Sequence, residues 1–164
     1  PRAAPRRVAL RVHCLRAARP PAAAPMPTVT LVTSVALERG DAKLAAVLDA
    51  LTAAFADCAK VPREYVHIHC VAGALGTFGG SSDAPWAQLR AVVGAGQLQE
   101  RGAREDLAFR ATKALNEALG VPSQRAQLMI EPVELGNLAI GGNLLTSFGY
   151  ACLVSGWRAP SQTG

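Results

Sequence analysis

The sequence predicts an α/β fold in which two βαβ units form a four-stranded mixed sheet with two helices on one face. Two observations support this prediction. A strand-like run, a stretch with helical apolar spacing and a second strand-like run follow one another twice along the chain. The dipeptides Val61-Pro62 and Val121-Pro122 recur 60 residues apart, each between a helix and a strand. This order indicates a duplicated unit with one sheet covered by two helices.

The first unit lies between a predicted strand at Val29–Val35 and a second one at Tyr65–Val71. Asp41 is placed to cap a helix through its side-chain oxygen. The helix that follows carries one apolar stripe, formed by Leu44, Val47, Leu48, Leu51, Phe55 and Cys58. Because these residues repeat with the period of a helix, they predict an amphipathic helix that Val61-Pro62 ends.

The second unit repeats the plan with a strand at Ala87–Val93, a helix at about Glu105–Leu119 and a strand at Gln127–Val133. Gly120 is placed to cap the C-terminus of the helix. The side chains expected to point inward are Leu107, Ala111, Ala114, Leu115 and Ala118. A sheet covered by helices on one side has a bare face and open edges, so we expect oligomerisation to cover them.

Composition and charge are those of a globular domain. The chain has 164 residues, of which 50% are apolar and 18% are charged. Its net charge of +5 depends on six arginines within the first 25 residues, where no acidic residue occurs, so the rest of the chain carries −1. A nearly neutral domain does not support nucleic-acid binding. No stretch approaches the ~20 apolar residues of a membrane span, and we expect no membrane partner.

The two ends of the chain are predicted to lie outside the fold. Residues 1–26 form a disordered or targeting extension, because an arginine-rich, acid-free segment with apolar residues at helical spacing is typical of an organelle transit peptide. The alternative is that Met26 is the initiator, which predicts a cytoplasmic protein. Secretion by a non-classical route is a third interpretation. Residues 156–164 are predicted to be a flexible tail.

The cysteines and histidines do not predict a metal or cofactor site. The four cysteines, Cys14, Cys58, Cys70 and Cys152, lie far apart without CxxC spacing. In the run His67-Ile68-His69-Cys70, strand alternation puts the two histidines on one face and the cysteine on the other. The glycine turn Phe78–Ser82 lacks the spacing of a nucleotide-phosphate loop. We therefore expect no metal and no cofactor.

Pro27 is a candidate for acid–base chemistry because it opens the first strand directly after Met26. Within a chain its nitrogen is an amide without basicity. At a free N-terminus the same nitrogen is a secondary amine, and the pKa of an ordinary α-amino group is about 7.7–8.0. An apolar pocket and a neighbouring cation would lower that pKa, giving a base poised near neutrality. This chemistry depends on whether residues 1–26 are present.

Pro27 belongs to a set of features that occur in a specific order. Met26-Pro27 starts a strand, Lys60 precedes a proline and a strand, and Phe78-Gly79-Gly80-Ser81-Ser82 follows that strand. Ile140-Gly141-Gly142-Asn143 comes late in the chain. This combination resembles the macrophage migration inhibitory factor family of the tautomerase superfamily, which includes D-dopachrome tautomerase. The resemblance extends to about Tyr150, and we assign residues 27–155 to a tautomerase-like domain.

The resemblance implies a homotrimer with active sites between subunits and an isomerase of the phenylpyruvate or dopachrome tautomerase type. The amine of Pro27 would move a proton between carbon and oxygen of an α-keto acid or its enol. Lys60 would hold the substrate carboxylate and help keep the proline amine neutral. The resemblance also assigns a backbone amide contact to Val93 and apolar pocket positions to Ile140 and Phe148.

The chain departs from the family at several pocket positions. The family's pocket tyrosine and asparagine fall on Gln127 and Met129, and the pocket tryptophan of the migration factors falls on Gly142. These changes remove aromatic surface, so the substrate preference is expected to differ. The cysteine pair credited with thiol oxidoreductase activity in some members falls on Pro85 and Gln88. We therefore expect no redox activity of that kind.

Two alternatives from other classes follow from the same residues. The first is a cytokine-like protein of this fold that binds a protein receptor and has little or no catalytic role. The second is a scaffold in which residues 1–26 stay attached, so that the Pro27 nitrogen is an amide and no base is left.

Overall fold

The computed structural model describes residues 26–137, 139–140 and 143–144. Within these residues the chain forms six main elements, followed by a short hairpin. The six elements are β1 (Thr28–Thr33), α1 (Ala42–Ala59), β2 (His67–Val71), β3 (Ala87–Gly94), α2 (Arg101–Leu119) and β4 (Ala126–Val133). The hairpin pairs β5 (Ala139–Ile140) with β6 (Asn143–Leu144) in antiparallel orientation.

The four long strands form one mixed sheet in the order β2-β1-β3-β4. β1 pairs with β2 in parallel, and β3 pairs with β4 in parallel. β1 and β3 are antiparallel and join the two pairs at the centre of the sheet. Because each parallel pair is connected through a helix, each half of the domain is a βαβ unit. The predicted duplication and the predicted fold class are confirmed.

The core lies between the sheet and the two helices, which also pack on each other. The central strands contribute alternate side chains that are almost completely buried, among them Val29, Leu31, Leu89, Ala91 and Val93. The helices contribute Val47, Leu51 and Phe55 from α1, and Leu107, Ala111 and Leu115 from α2. Burial of these apolar side chains is the main term that stabilises such a layer. The predicted apolar stripes are therefore the residues that form the core.

The largest differences from the predicted boundaries are in β1, α2 and β2. β1 spans Thr28–Thr33 and thus ends before Val35, the predicted last residue. α2 begins at Arg101 rather than near Glu105, because its first turn carries no large apolar side chain whose spacing could reveal it. β2 begins at His67 rather than at Tyr65, because Arg63–Tyr65 forms a 3₁₀ turn after Pro62. The second unit has the equivalent 3₁₀ turn at Ser123–Arg125.

The helices are capped as their end residues predict. The Asp41 carboxylate accepts a hydrogen bond from the backbone N–H of Lys43 (2.8 Å) at the start of α1. Both helices end in a left-handed residue, which is Lys60 in α1 (φ 55°) and Gly120 in α2 (φ 67°). A buried valine and a proline follow each of them. The two Val-Pro dipeptides therefore belong to the same kind of helix end, which occurs once in each unit.

The sheet face away from the helices carries no helix in the described part of the chain. Strand alternation and pairing place three residues from each strand on it. They are His67, His69 and Val71, then Thr28, Thr30 and Val32, then Gln88, Arg90 and Val92, and finally Gln127, Met129 and Glu131. Arg90 donates two hydrogen bonds of 2.8 Å to Glu131, and this contact lowers the pKa of the Glu131 carboxyl. We call these residues the bare face.

None of the helices within the described residues is long and apolar enough to cross a membrane. Residues 1–25 and 145–164 lie outside the described residues, so the predicted extension (apart from Met26) and the predicted tail stay predictions.

Candidate active site

Pro27 lies directly before β1 and is fully buried. Its carbonyl oxygen accepts a hydrogen bond from the backbone N–H of His67 (2.9 Å), which ties it to the start of β2. Thr28 pairs with Val92, so the same antiparallel register puts Pro27 at the level of Val93. The structure thus brings together two of the predicted site residues, Pro27 and Val93, near the C-terminal end of β3.

Lys60 reaches the same end of the sheet because α1 runs back along it and ends there. The residue is exposed and lines a cavity of about 230 Å³, the Lys60 cavity, whose other lining residues include Cys58, Glu100 and Ala103. The segment Gly96–Gln99 forms the opposite side of this cavity. No ion-pair partner of the Lys60 ammonium occurs among the described residues.

A second cavity of about 260 Å³ adjoins the first through the shared segment Gly96–Gln99. We call it the Arg104 cavity; Val93, Ile130 and Pro132 line it together with Arg104. Leu98 in the shared segment has a left-handed backbone (φ 52°) and is 6% exposed. A buried leucine rarely adopts this conformation, which costs of order 1–3 kcal/mol unless the surroundings impose it. Lys60 and Val93 therefore border neighbouring cavities separated by one constrained segment.

Two of the other predicted pocket residues, Gln127 and Met129, are not brought to this site within one chain. Gln127 and Met129 lie on the bare face, on the opposite side of the sheet from α1. The Gln127 side chain accepts a hydrogen bond from Gln88 (3.1 Å). Ile140 lies in β5, but its side chain is outside what the structure describes, and Phe148 lies outside the described residues.

Cys58 borders the Lys60 cavity, but its surroundings suppress its reactivity. Its Sγ donates a hydrogen bond to the Asp106 carboxylate (3.4 Å), and Arg110 ion-pairs with Asp57 (2.7 Å) beside it. Burial, followed by the contact with Asp106, raises the pKa of the Cys58 thiol to about 11. The thiol form therefore dominates at neutral pH, and Cys58 is a poor nucleophile there.

The glycine turn has a structural role at the other end of the sheet. Gly79 and Gly80 have positive φ angles (61° and 81°), and Phe78 and Ser81 bond to each other across the turn. Arg125 donates to the carbonyl oxygens of Ser81 (2.7 Å) and Pro85 (3.3 Å), and its guanidinium stacks on Phe78. The turn precedes the first residue of β3, whereas Val93, which lines the Arg104 cavity, lies near the other end of this strand, about 20 Å away.

The histidine run behaves as strand alternation predicts. His67 and His69 are exposed on the bare face, whereas Cys70 packs against the helix side of the sheet. Among the described residues no group of three His, Cys, Asp or Glu side chains could hold a metal ion.

The mixed sheet and its two helices define the fold class as tautomerase-like. Solved structures with this fold include macrophage migration inhibitory factor from Toxoplasma gondii, which is 26% identical with a TM-score of 0.61 and is matched over 70% of this chain and 96% of its own. MIF2 from Leishmania major is 20% identical with a TM-score of 0.64, over 74% and 98%. A fused 4-OT described as a wild-type asymmetric trimer is 21% identical with a TM-score of 0.60, over 73% and 97%.

The sequence profile of the macrophage migration inhibitory factor family matches residues 26–146, which is most of the chain. A search of curated proteins gave no significant match. The chain belongs to the macrophage migration inhibitory factor family, as the order of its motifs predicts.

Proposed function

We propose that the protein is a keto–enol tautomerase that acts on α-keto acids, with Pro27 as its general base. The neutral amine nitrogen takes a proton from the carbon next to the keto group, and the resulting ammonium gives a proton to the keto oxygen, which yields the enol and restores the neutral amine. The reverse sequence restores the keto form. No oxidant or reductant is consumed, so the step needs no redox partner. Family membership and the burial of Pro27 beside Val93 support the proposal.

This chemistry requires that Pro27 be the first residue, because an acylated nitrogen has no basicity. The functional form in this proposal therefore lacks residues 1–26. The apolar surroundings of Pro27 favour the neutral amine, since burial disfavours a charged ammonium.

The left-handed backbone of Lys60 is the observation that carries the proposal. The equivalent position at the end of α2 is Gly120, the residue that adopts this conformation without cost. Lysine occupies the end of α1 at a position where glycine would be more stable, and its ammonium borders a cavity without a protein partner among the described residues. In the proposed mechanism this ammonium binds the substrate carboxylate.

We further propose a homotrimer in which each active site is completed by a neighbouring copy. Gln127 and Met129 face away from the cavities of their own chain, and they border a substrate only if a second chain presents its bare face or edge there. The asymmetric trimer of a fused 4-OT of the same fold supports this assembly.

Substitution of Lys60 tests the carboxylate contact. In the form that begins at Pro27, Lys60→Ala is expected to raise KM for phenylpyruvate by about ten- to a hundredfold, because a charged hydrogen bond contributes about 1.5–3 kcal/mol. Lys60→Arg should restore part of the loss. Lys113→Ala is the matched control, since Lys113 lies on the outer side of α2 beside Glu117. An unchanged KM for Lys60→Ala would contradict the assignment.

A further inference from the structure

His67 and His69 form a pair of imidazoles on the bare face, on the edge strand β2. Strand alternation places both side chains on the same side of the sheet, and both residues are exposed. Neither imidazole has a hydrogen-bond or ion-pair partner among the residues that the structure describes. Because residues two apart in a strand are separated by about 6.6 Å, the rings can turn toward each other and bring one nitrogen from each to a common point.

The residues around this pair leave it open to a cation. The neighbours across β1 are Thr28 and Thr30, which are uncharged. Arg90 lies beyond them on β3, and its two hydrogen bonds of 2.8 Å to Glu131 offset its positive charge within the face. Glu131 itself lies on β4, three strands from β2, which is a distance of about 14 Å. Among the described residues of the bare face, the strong ligand atoms beside β2 are therefore the two imidazole nitrogens.

We propose that His67 and His69 together chelate one divalent ion of the series Ni²⁺, Cu²⁺ and Zn²⁺, with Cu²⁺ bound most tightly. Imidazole nitrogen is a ligand that suits these ions, whereas Mg²⁺ and Ca²⁺ prefer oxygen ligands such as carboxylates, which are distant from this pair. Each nitrogen bonds the ion at about 2.0–2.1 Å, the usual distance between zinc and histidine. Water fills the remaining coordination positions.

A site with two protein ligands is an exchangeable surface site rather than a structural or catalytic metal centre. Such centres use three or four protein ligands, and the part of the chain that the structure describes contains no group of three suitable side chains. The ion takes no part in the proposed proton transfer at Pro27. Both ligands come from one chain, so the site requires no second copy.

Calorimetric titration of the full 164-residue chain with Ni²⁺ tests the site, after accessible thiols have been blocked with iodoacetamide so that they do not compete for the ion. The variants are His67→Gln, His69→Gln and, as the matched control, His13→Gln, which removes the remaining histidine of the chain. We expect one Ni²⁺ per chain. Loss of a hydrogen-bond partner of a ligand costs about 10–100-fold in metal affinity, so loss of either ligand itself should weaken binding by at least about tenfold. His13→Gln should leave the affinity unchanged.

A shifted pair distinguishes chelation from binding by a single histidine. Val71 faces the same side of β2 and is 41% exposed, so Val71→His in the His67→Gln background again places two imidazoles two residues apart. We expect this double variant to regain most of the lost affinity, with circular dichroism as the check that the fold is unchanged. Three outcomes overturn the site: single variants that bind as tightly as the unmodified protein, one Ni²⁺ shared by three chains, or a double variant as weak as His67→Gln.

Discussion

At the scale of single residues, Cys58 shows how surroundings decide chemistry. A cysteine beside a cavity cation would ordinarily be a candidate nucleophile. Here half-burial and the Asp106 carboxylate disfavour the thiolate and raise the pKa of Cys58 to about 11. Arg110 acts in the opposite direction but is a smaller influence. The cysteine is therefore part of the packing between α1 and α2 rather than part of the reaction.

The pH dependence of Cys58 alkylation checks this conclusion. Since only the thiolate reacts, the rate with iodoacetamide should keep rising with pH up to about 11. Asp106→Asn removes the negative charge that raises the pKa, so this variant should react faster at pH 8. Mass spectrometry resolves Cys58 from the other cysteines, and Cys70, whose pKa burial also raises, serves as an internal comparison. A rate plateau below pH 9 would refute the raised pKa.

At the scale of elements, the C-terminal ends of α1 and α2 show that the two units are alike, and they also show where the units differ. Each helix ends in a left-handed residue followed by a valine, a proline and a 3₁₀ turn. In α2 the left-handed residue is Gly120, whereas in α1 it is Lys60, which carries a side chain at the cost of backbone strain. The same backbone geometry therefore carries the more stable residue at the end of α2. In our proposal it carries the substrate-binding residue at the end of α1.

This divergence predicts opposite stability changes at the two ends. Lys60→Gly should be about 1 kcal/mol more stable than Lys60→Ala, because only glycine relieves the left-handed strain. Gly120→Ala should lose about 1 kcal/mol for the same reason. Urea unfolding of the three variants measures the differences. Equal stabilities of the glycine and alanine variants at Lys60 would show that the position is unstrained.

Local patterns predicted the elements better than they predicted the site. The stripes that include Leu51 and Leu115 and the repeated Val-Pro dipeptides are properties of neighbouring residues, so they identified both units. The Gly96–Gln99 segment and Arg104 carry no periodic pattern, and their position beside Lys60 is set by the packing of α1 on α2. Pro27 and Lys60 are candidates through the order of motifs in the family, whereas the direction in which Gln127 faces required the sheet register.

At the scale of the whole molecule, the bare face determines how the domain is expected to assemble. It combines polar residues such as Thr30 and Gln88 with the apolar residues Val32, Val71 and Met129. Val71 is 41% exposed on the edge strand β2. An open edge and an uncovered face favour association between sheets.

We therefore expect a homotrimer in solution. Light scattering coupled to size exclusion, and sedimentation velocity over a range of micromolar concentrations, measure the mass of the form that begins at Pro27 and of the full chain. Trimers of both forms would support assembly through the folded domain. A stable monomer would contradict the proposed assembly and would leave Gln127 and Met129 outside any active site.

The central claim is that the nitrogen of Pro27 is the base, and extending the chain by one residue tests it most directly. Two proteins are compared, one beginning at Pro27 and one retaining Met26, with intact mass confirming the first residue of each. Keto–enol interconversion of phenylpyruvate is measured for both, with circular dichroism as the check that the fold is the same. We predict activity in the form that begins at Pro27 and its loss in the Met26 form, because one peptide bond converts the amine into an amide. Equal activity in the two proteins would remove Pro27 from the mechanism.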